Sequence, residues 1–197
     1  MGVVAEASDN RQPLAKNQAG VAVLILILVI AVGVGLYFIL HKDAKKHPTS
    51  PGNYKPVTAR VLNAAQLQAE RPHIGGQLFY WAGTQRGYSY EFRRTVKGFI
   101  YVRYLPSGLH AGATGNFRVV ATYPFTEAVN GLQGQAYKVG ADVKRGRGGS
   151  YYFVDPKRPR TVYMAWDNVD AQVELFGTSP VDAVSLAKSG KIRTAHP

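Results

Sequence analysis

This 197-residue sequence predicts an α+β fold: one N-terminal transmembrane helix, then a domain with a mainly antiparallel sheet and helices on one face. Three observations predict it. Residues 20–40 are apolar without interruption, residues 77–176 hold short aromatic and β-branched runs separated by turn residues, and proline-led, glycine-ended apolar stripes sit among those runs.

The span comes first. "GVAVLILILVIAVGVGLYFIL", Gly20 to Leu40, carries no charged side chain. At about 1.5 Å per residue it reaches about 31 Å, the thickness of a bilayer's hydrocarbon core. A cleaved secretory signal ending near Ala31-Val32-Gly33 is the competing reading, disfavoured because Leu36 to Leu40 continues the apolar run past that point. Residues 1–19 read as a disordered tail. Ala31 and Gly35 stand at small-xxx-small spacing, so a homodimer through this helix is open, although simple packing against lipid is favoured over it.

Residues 41–57 change composition abruptly. Lys42, Lys45 and Lys46 form a membrane collar, and Pro48, Pro51 and Pro56 make a short stalk in which no helix continues. Arg11 and Lys16 flank the span on one side against Lys42, Lys45, Lys46 and Lys55 on the other, which favours a cytoplasmic C-terminus. A long following domain weakens that rule, and a short basic N-terminus before one early span is a signal-anchor layout. The domain is therefore expected outside the cytoplasm, on a cell membrane crossed once.

Residues 58–197 are expected to form one globular unit. Thr58 is read as capping a helix to about Glu70 that Pro72 ends; strands follow near 77–82, 88–94, 98–105 and 117–123. Pro124 opens a helix to about Gln135. Strands near 150–154, 161–166 and 171–176 precede a helix from Pro180 to Ser189 that Gly190 terminates. "YVRYL … VVATYPFTEAVNGL" and "VYMAW … VELFGTSPVDAVSL" share one order, so two ββα pseudo-repeats are possible, each helix covering its own hairpin. In strand 88–94, Tyr88, Tyr90 and Phe92 alternate with Ser89, Glu91 and Arg93, one face for the core and one for water. Phe99 to Leu105 is nearly all apolar and reads as a central strand with Arg103 reaching out.

Composition narrows function. With no cysteine, disulfides, thiolate nucleophiles and cysteine metal sites are excluded. No asparagine begins a glycosylation acceptor, which suits a bacterial envelope protein better than a eukaryotic secreted one. No nucleophile elbow, phosphate loop or histidine metal spacing appears, and Asp155, Asp167 and Asp170 fall at strand ends where aspartate caps turns. The expectation is no enzyme, no catalytic residue, no metal and no cofactor. Residues 52–197 carry 19 Lys and Arg against 9 Asp and Glu, a surface that attracts polyanions. The densest sites are "KRGRGG" at 144–149 and "KRPR" at 157–160. Lys144, Arg145, Arg147, Lys157, Arg158 and Arg160 are the polyanion-binding candidates, guanidinium being suited to anionic groups; a solvated basic loop explains the same residues equally well.

"FYWAG", "GFIYVRYLPSG" and "ATYPF" behind an N-terminal span resemble a group of uncharacterised bacterial single-pass membrane proteins, over about residues 76–132. The resemblance implies a membrane-anchored envelope domain and transfers no catalytic residue. The expected partners are the lipid bilayer and either an anionic envelope polymer or another membrane protein. A cytoplasm-facing basic module binding nucleic acid or anionic lipid is the alternative.

Overall fold

The computed structural model describes residues 54–195. The tail, the span with Ala31 and Gly35, and the collar with Lys42, Lys45 and Lys46 lie outside the described residues. Among those described, no helix is long and apolar enough to cross a membrane.

Eight strands form one sheet in the order β1-β3-β4-β5-β9-β8-β7-β6, every neighbour antiparallel. They are β1 (Val57–Leu62), β3 (Tyr88–Arg94), β4 (Ile100–Pro106), β5 (Val119–Pro124), β6 (Lys144–Arg145), β7 (Ser150–Asp155), β8 (Arg158–Trp166) and β9 (Ala171–Phe176). A second, two-stranded sheet pairs β2 (Tyr80–Trp81) with β10 (Arg193–Thr194). The helices are α1 (Ala64–Gln68), α2 (Glu70–His73), α3 (Ala128–Val139) and α4 (Pro180–Ser189).

The chain therefore does not open on the helix expected from Thr58. Val57, Thr58 and Val61 are β-branched, and the outer edge of β3 offers them a ladder; they take it as β1, with a bulge between Val57 and Arg60. Asn63 is the cap instead. Its side chain accepts from Gln66 N at 2.8 Å while Gln66 Oε1 accepts from Asn63 N at 2.9 Å, a reciprocal pair that starts α1. Pro124 likewise ends β5 rather than opening a helix. Phe125 N donates to Asp170 O at 3.0 Å and Glu127 N to Asp170 Oδ1 at 3.2 Å, so the β8–β9 turn holds the segment between β5 and α3. The last helix runs as expected, capped by Ser179 and stopped at Gly190.

Register separates the two faces of the sheet. Tyr90, Phe92, Val102, Tyr104, Val120, Val162, Met164, Val173 and Leu175 share one face, on which α1, the two-stranded sheet and α4 pack. On the other face α3 sets Leu132 and Ala136 against Phe153, Tyr163 and Ala165 of β7 and β8. The helices are thus on opposite faces, not one. The ββα order does occur twice in the chain, but α3 lies over β7, β8 and β9 rather than over its own hairpin. On that face the β4–β5 hairpin carries the Tyr101–Tyr123 pair and Arg103, while Phe153, Tyr163 and Ala165 of β7 and β8 receive α3.

The aromatic residues of the β2–β4 region build the core. Phe79 meets Phe92 at 5.3 Å, Trp81 meets Tyr90 at 5.5 Å and Tyr90 meets Tyr104 at 5.0 Å, all edge-on. The tyrosine hydroxyls also find partners. Tyr104 Oη accepts from Ala82 N at 2.6 Å and donates to Gly83 O at 3.2 Å, and Tyr90 Oη accepts from Gln85 N at 2.8 Å. These bonds lay segment 82–85 on the sheet.

The face assigned to water is only partly wet. Glu91 and Arg103 lie opposite each other on β3 and β4, both buried, with Arg103 Nη1 donating to the two Glu91 oxygens at 2.8 and 2.9 Å. Arg103 does not reach out. Loop 107–118 is strapped over the pair: Gly112 N donates to Glu91 at 2.8 Å, Arg103 Nη2 donates to Ala113 O at 2.6 Å, and the Phe117 ring lies 5.3 Å from the guanidinium.

Candidate functional site

The six basic candidates do not converge. β7 separates them: Arg145 stands opposite Tyr151 and Arg158 opposite Asp155, four residues along one strand, or about 13 Å. Lys144, Arg145 and Arg147 thus sit at one end of the β7–β8 hairpin, and Lys157, Arg158 and Arg160 at the other.

At the second end two of the three cations are committed. Arg158 Nε donates to Asp155 Oδ2 at 2.8 Å, its Nη1 lies 3.7 Å from Glu174 Oε1, and Nη2 bonds the Tyr163 hydroxyl. Arg160 Nε donates to Gly177 O at 3.0 Å, its Nη2 bonds Asn116, and its guanidinium stacks on Phe176 at 4.5 Å. These arginines fasten β8 to its neighbours. Lys157 alone of this trio is exposed.

Glu174 is the centre of that polar cluster. It accepts from Tyr123 Oη at 2.7 Å and from Tyr163 Oη at 3.3 Å. Burial pushes its carboxyl above the ordinary carboxylate value, although Tyr123, Arg158 and Tyr163 pull the other way. Burial also raises Tyr101 to about 12 and lifts Tyr123 and Tyr163. The folded state therefore holds the Glu174 proton more tightly than the unfolded chain. The stability this contributes is complete below the unfolded carboxyl value, about 4.3, and is lost as pH rises through the folded value. Glu174→Gln removes that dependence. Its stability relative to the native chain is expected to improve as pH is raised from about 4 through the folded value and to level off above it, as thermal melts across the range would register. A difference independent of pH would show that Glu174 titrates normally.

Asp155, Asp167 and Asp170 are not gathered. Asp155 accepts from Lys157 N at 2.9 Å in the β7–β8 turn, while Asp167 and Asp170 sit in the β8–β9 turn at the other end of the hairpin. Among the described residues no group of three or more His, Asp or Glu side chains is arranged to hold a metal.

The first end is different in kind. Lys144 and Arg145 form β6, the outermost strand, and by alternation point to opposite faces. Arg145 stacks on the Tyr151 ring at 4.9 Å and donates to its hydroxyl at 2.9 Å, Tyr151 in turn donating to Asp167 at 3.2 Å. The glycines that follow serve the backbone. Gly148 and Gly149 take φ of 73° and 74°, the left-handed region, to turn the chain into β7. A Cβ at Gly146 would lie 2.6 Å from the Ala187 carbonyl oxygen, because this turn is pressed against the C-terminal end of α4.

That contact adds two cations absent from the sequence candidates. A Cβ at Gly190 would lie 3.1 Å from the Arg147 Cβ, so Lys188 and Lys191, both exposed, flank the same corner. The only hint in the sequence was lysine around a helix-ending glycine, a pattern that equally serves the helix dipole. Lys144, Arg145, Arg147, Lys188 and Lys191 form no ion pair among the described residues. Asp142, exposed and two residues before Lys144, and Asp167 behind Tyr151 are the acids nearest in chain or bonding. The corner has the composition of an anion-attracting edge: exposed ammonium groups, one guanidinium stacked on a ring, and a second exposed guanidinium at the glycine turn.

No family model, no curated protein and no solved structure matches the chain.

Proposed function

We propose that the protein is a non-enzymatic domain anchored in a cell membrane by residues 20–40, engaging an anionic polymer of the cell envelope through the corner of β6, the 146–149 turn and the end of α4. One observation carries this reading: five exposed cations from two segments distant in the chain flank the contact between the glycine turn and the end of α4, without ion pairs among the described residues. Elsewhere on the domain Arg103, Arg118, Arg158 and Arg160 are spent on structural contacts. The resemblance to bacterial single-pass membrane proteins and the signal-anchor layout favour an extracytoplasmic domain. The collar lysines Lys42, Lys45 and Lys46 then lie at the headgroups, each contributing about 1 kcal/mol on an anionic leaflet.

The test is retention of the detergent-solubilised chain on an anionic polysaccharide matrix. Attraction of this kind is screened as the Debye length shortens to about 8 Å at 0.15 M salt, so elution is expected at moderate ionic strength. Lys144→Gln, Arg145→Gln, Arg147→Gln, Lys188→Gln and Lys191→Gln together are expected to abolish retention with the melting temperature preserved. Arg86→Gln with Lys157→Gln, exposed positions away from the corner, is the charge control and is expected to reduce retention only slightly. Retention of the five-residue variant at native salt would sink the proposal.

The excess of lysine on the C-terminal flank of the span favours a second reading, a cytoplasmic module for nucleic acid or anionic lipid. A reporter fused after Pro197 and active on only one side of a membrane separates the two.

A further inference from the structure

The chain enters the described domain at one defined place. Tyr54 N donates to Val96 O at 3.3 Å and the Tyr54 ring covers Gly98, where a Cβ would lie 2.5 Å from it. Arg94 clamps the same segment, donating from Nε and Nη2 to Lys55 O at 2.9 and 2.6 Å and from Nη1 to Ile74 O at 2.7 Å. Residues 54 and 55 are thereby fixed to the β3–β4 turn, residues 95–99. That turn carries Val96, 57% exposed, with Lys97, Arg93 and Lys55 exposed around it.

Val96 thus stands more than half exposed at the tip of a hairpin, ringed by cations. Such an arrangement suits the interfacial layer of an anionic bilayer. From Leu40 to Tyr54 the chain spans 14 residues, at most about 50 Å fully extended, and three prolines lie between Lys46 and Val57. By chain length alone, a span ending at Leu40 would allow this turn and the start of β1 beside it to lie no more than about 50 Å from the headgroups. The opposite end of β4 lies seven residues further on, about 23 Å away. The acids at the near end, Glu127, Asp167 and Asp170, belong to the β5–α3 and β8–β9 connections, and Asp170 is turned onto the Glu127 N–H.

We propose that the β3–β4 turn is a lipid-contact site: Val96 enters the interfacial layer of the membrane in which the chain is anchored, and Lys55, Arg93 and Lys97 lie against anionic lipid headgroups. This rests on the anchor reading above, not on the polymer-binding corner. Seating the turn in lipid fixes the domain's orientation on the membrane, since residues 54 and 55 are bonded to it.

The absence of cysteine makes the test direct. The full chain carrying Val96→Cys, labelled with an environment-sensitive fluorophore, is reconstituted into vesicles of phosphatidylcholine with phosphatidylglycerol, and into phosphatidylcholine alone. Ser107→Cys, exposed at the far end of β4, is the control position. The expected result is a blue shift at position 96, with loss of intensity to a lipid-borne quencher, weaker in the neutral vesicles, and neither change at 107. Equal signals at the two positions, or a response at 96 that ignores the anionic lipid, would overturn the proposal. A blue-shifted label at 96 that the quencher cannot reach means that protein covers the turn, a second copy or residues 20–40, and overturns it too. A chain that does not float with the vesicles removes the anchor, and the lipid contact with it; one that floats with both labels insensitive removes the contact alone.

Discussion

A chain carrying Ile27→Arg with Leu28→Asp is expected to leave the membrane fraction and appear in soluble or aggregated material. The two residues are at the middle of the Gly20–Leu40 run, where a charge costs about 2.5–3.5 kcal/mol on insertion scales. Two charges together cost about 6 kcal/mol, enough to reverse the partition of a single span. Fractionation with carbonate washing checks it. A native chain found in the soluble fraction, or one whose mass indicates cleavage near Gly33, would remove the anchor, and a double variant still integral to the membrane would place the span elsewhere.

Arg103→Leu is expected to be the most damaging single change in the described domain. It leaves the Glu91 carboxylate buried opposite an apolar side chain, with Gly112 N–H as its remaining partner, and unfastens the Ala113 carbonyl of the strap. Removing one member of a buried pair costs about 3–5 kcal/mol. At roughly 3 °C per kcal/mol for a domain of this size, melting should fall by about 10–15 °C. Loop 107–118 should become the first site of proteolysis, since both of its bonds to the pair are lost or weakened. Glu91→Leu added to Arg103→Leu is expected to recover much of the loss, because two apolar side chains leave no uncompensated charge. A single variant that melts within about 2 °C of the native chain would mean the pair is solvated in solution.

The two changes differ in what made them visible. The run from Gly20 to Leu40 stands out by length and composition alone, whereas Glu91 and Arg103 are twelve residues apart and become partners only when β3 and β4 pair in register. The alternation in β3 was legible: Tyr90 and Phe92 are fully buried, as the period of two requires. That Glu91, on the other face, is equally hidden was not, because the strap covering it comes from the loop after β4. In the same way β9 and α4 could be bounded to the residue, the latter because Ser179, Pro180 and Gly190 are local signals. β1 was mistaken for a helix because its apolar residues fit both periods over so short a stretch, and the free edge of β3 decided between them.

The candidate site was half legible. Basic residues next to glycine mark 144–149 in the sequence, and that end of the hairpin carries the exposed corner. The equally basic 157–160 reads the same way, yet Arg158 and Arg160 are turned into contacts with Asp155, Tyr163, Gly177 and Phe176. Charge density along a chain does not reveal whether an arginine has a partner; that partner is set by strands meeting at a distance. Lys188 and Lys191 were missed for the same reason.

By itself the sequence determined the α+β class, the order of the β4-to-α4 elements apart from the two-residue β6, the alternation of the aromatic strands, and the net positive charge, all of which follow from composition and from periodicities of two and about 3.6 residues that local backbone geometry imposes. Only the tertiary structure decided which face each helix covers, which charges are buried in pairs, and which cations remain exposed together. Those depend on strand register and on contacts between segments 12 to 64 residues apart, such as Glu91 with Arg103 and Arg118 with Asp182, where a side chain's neighbours are set by packing and not by its place in the chain.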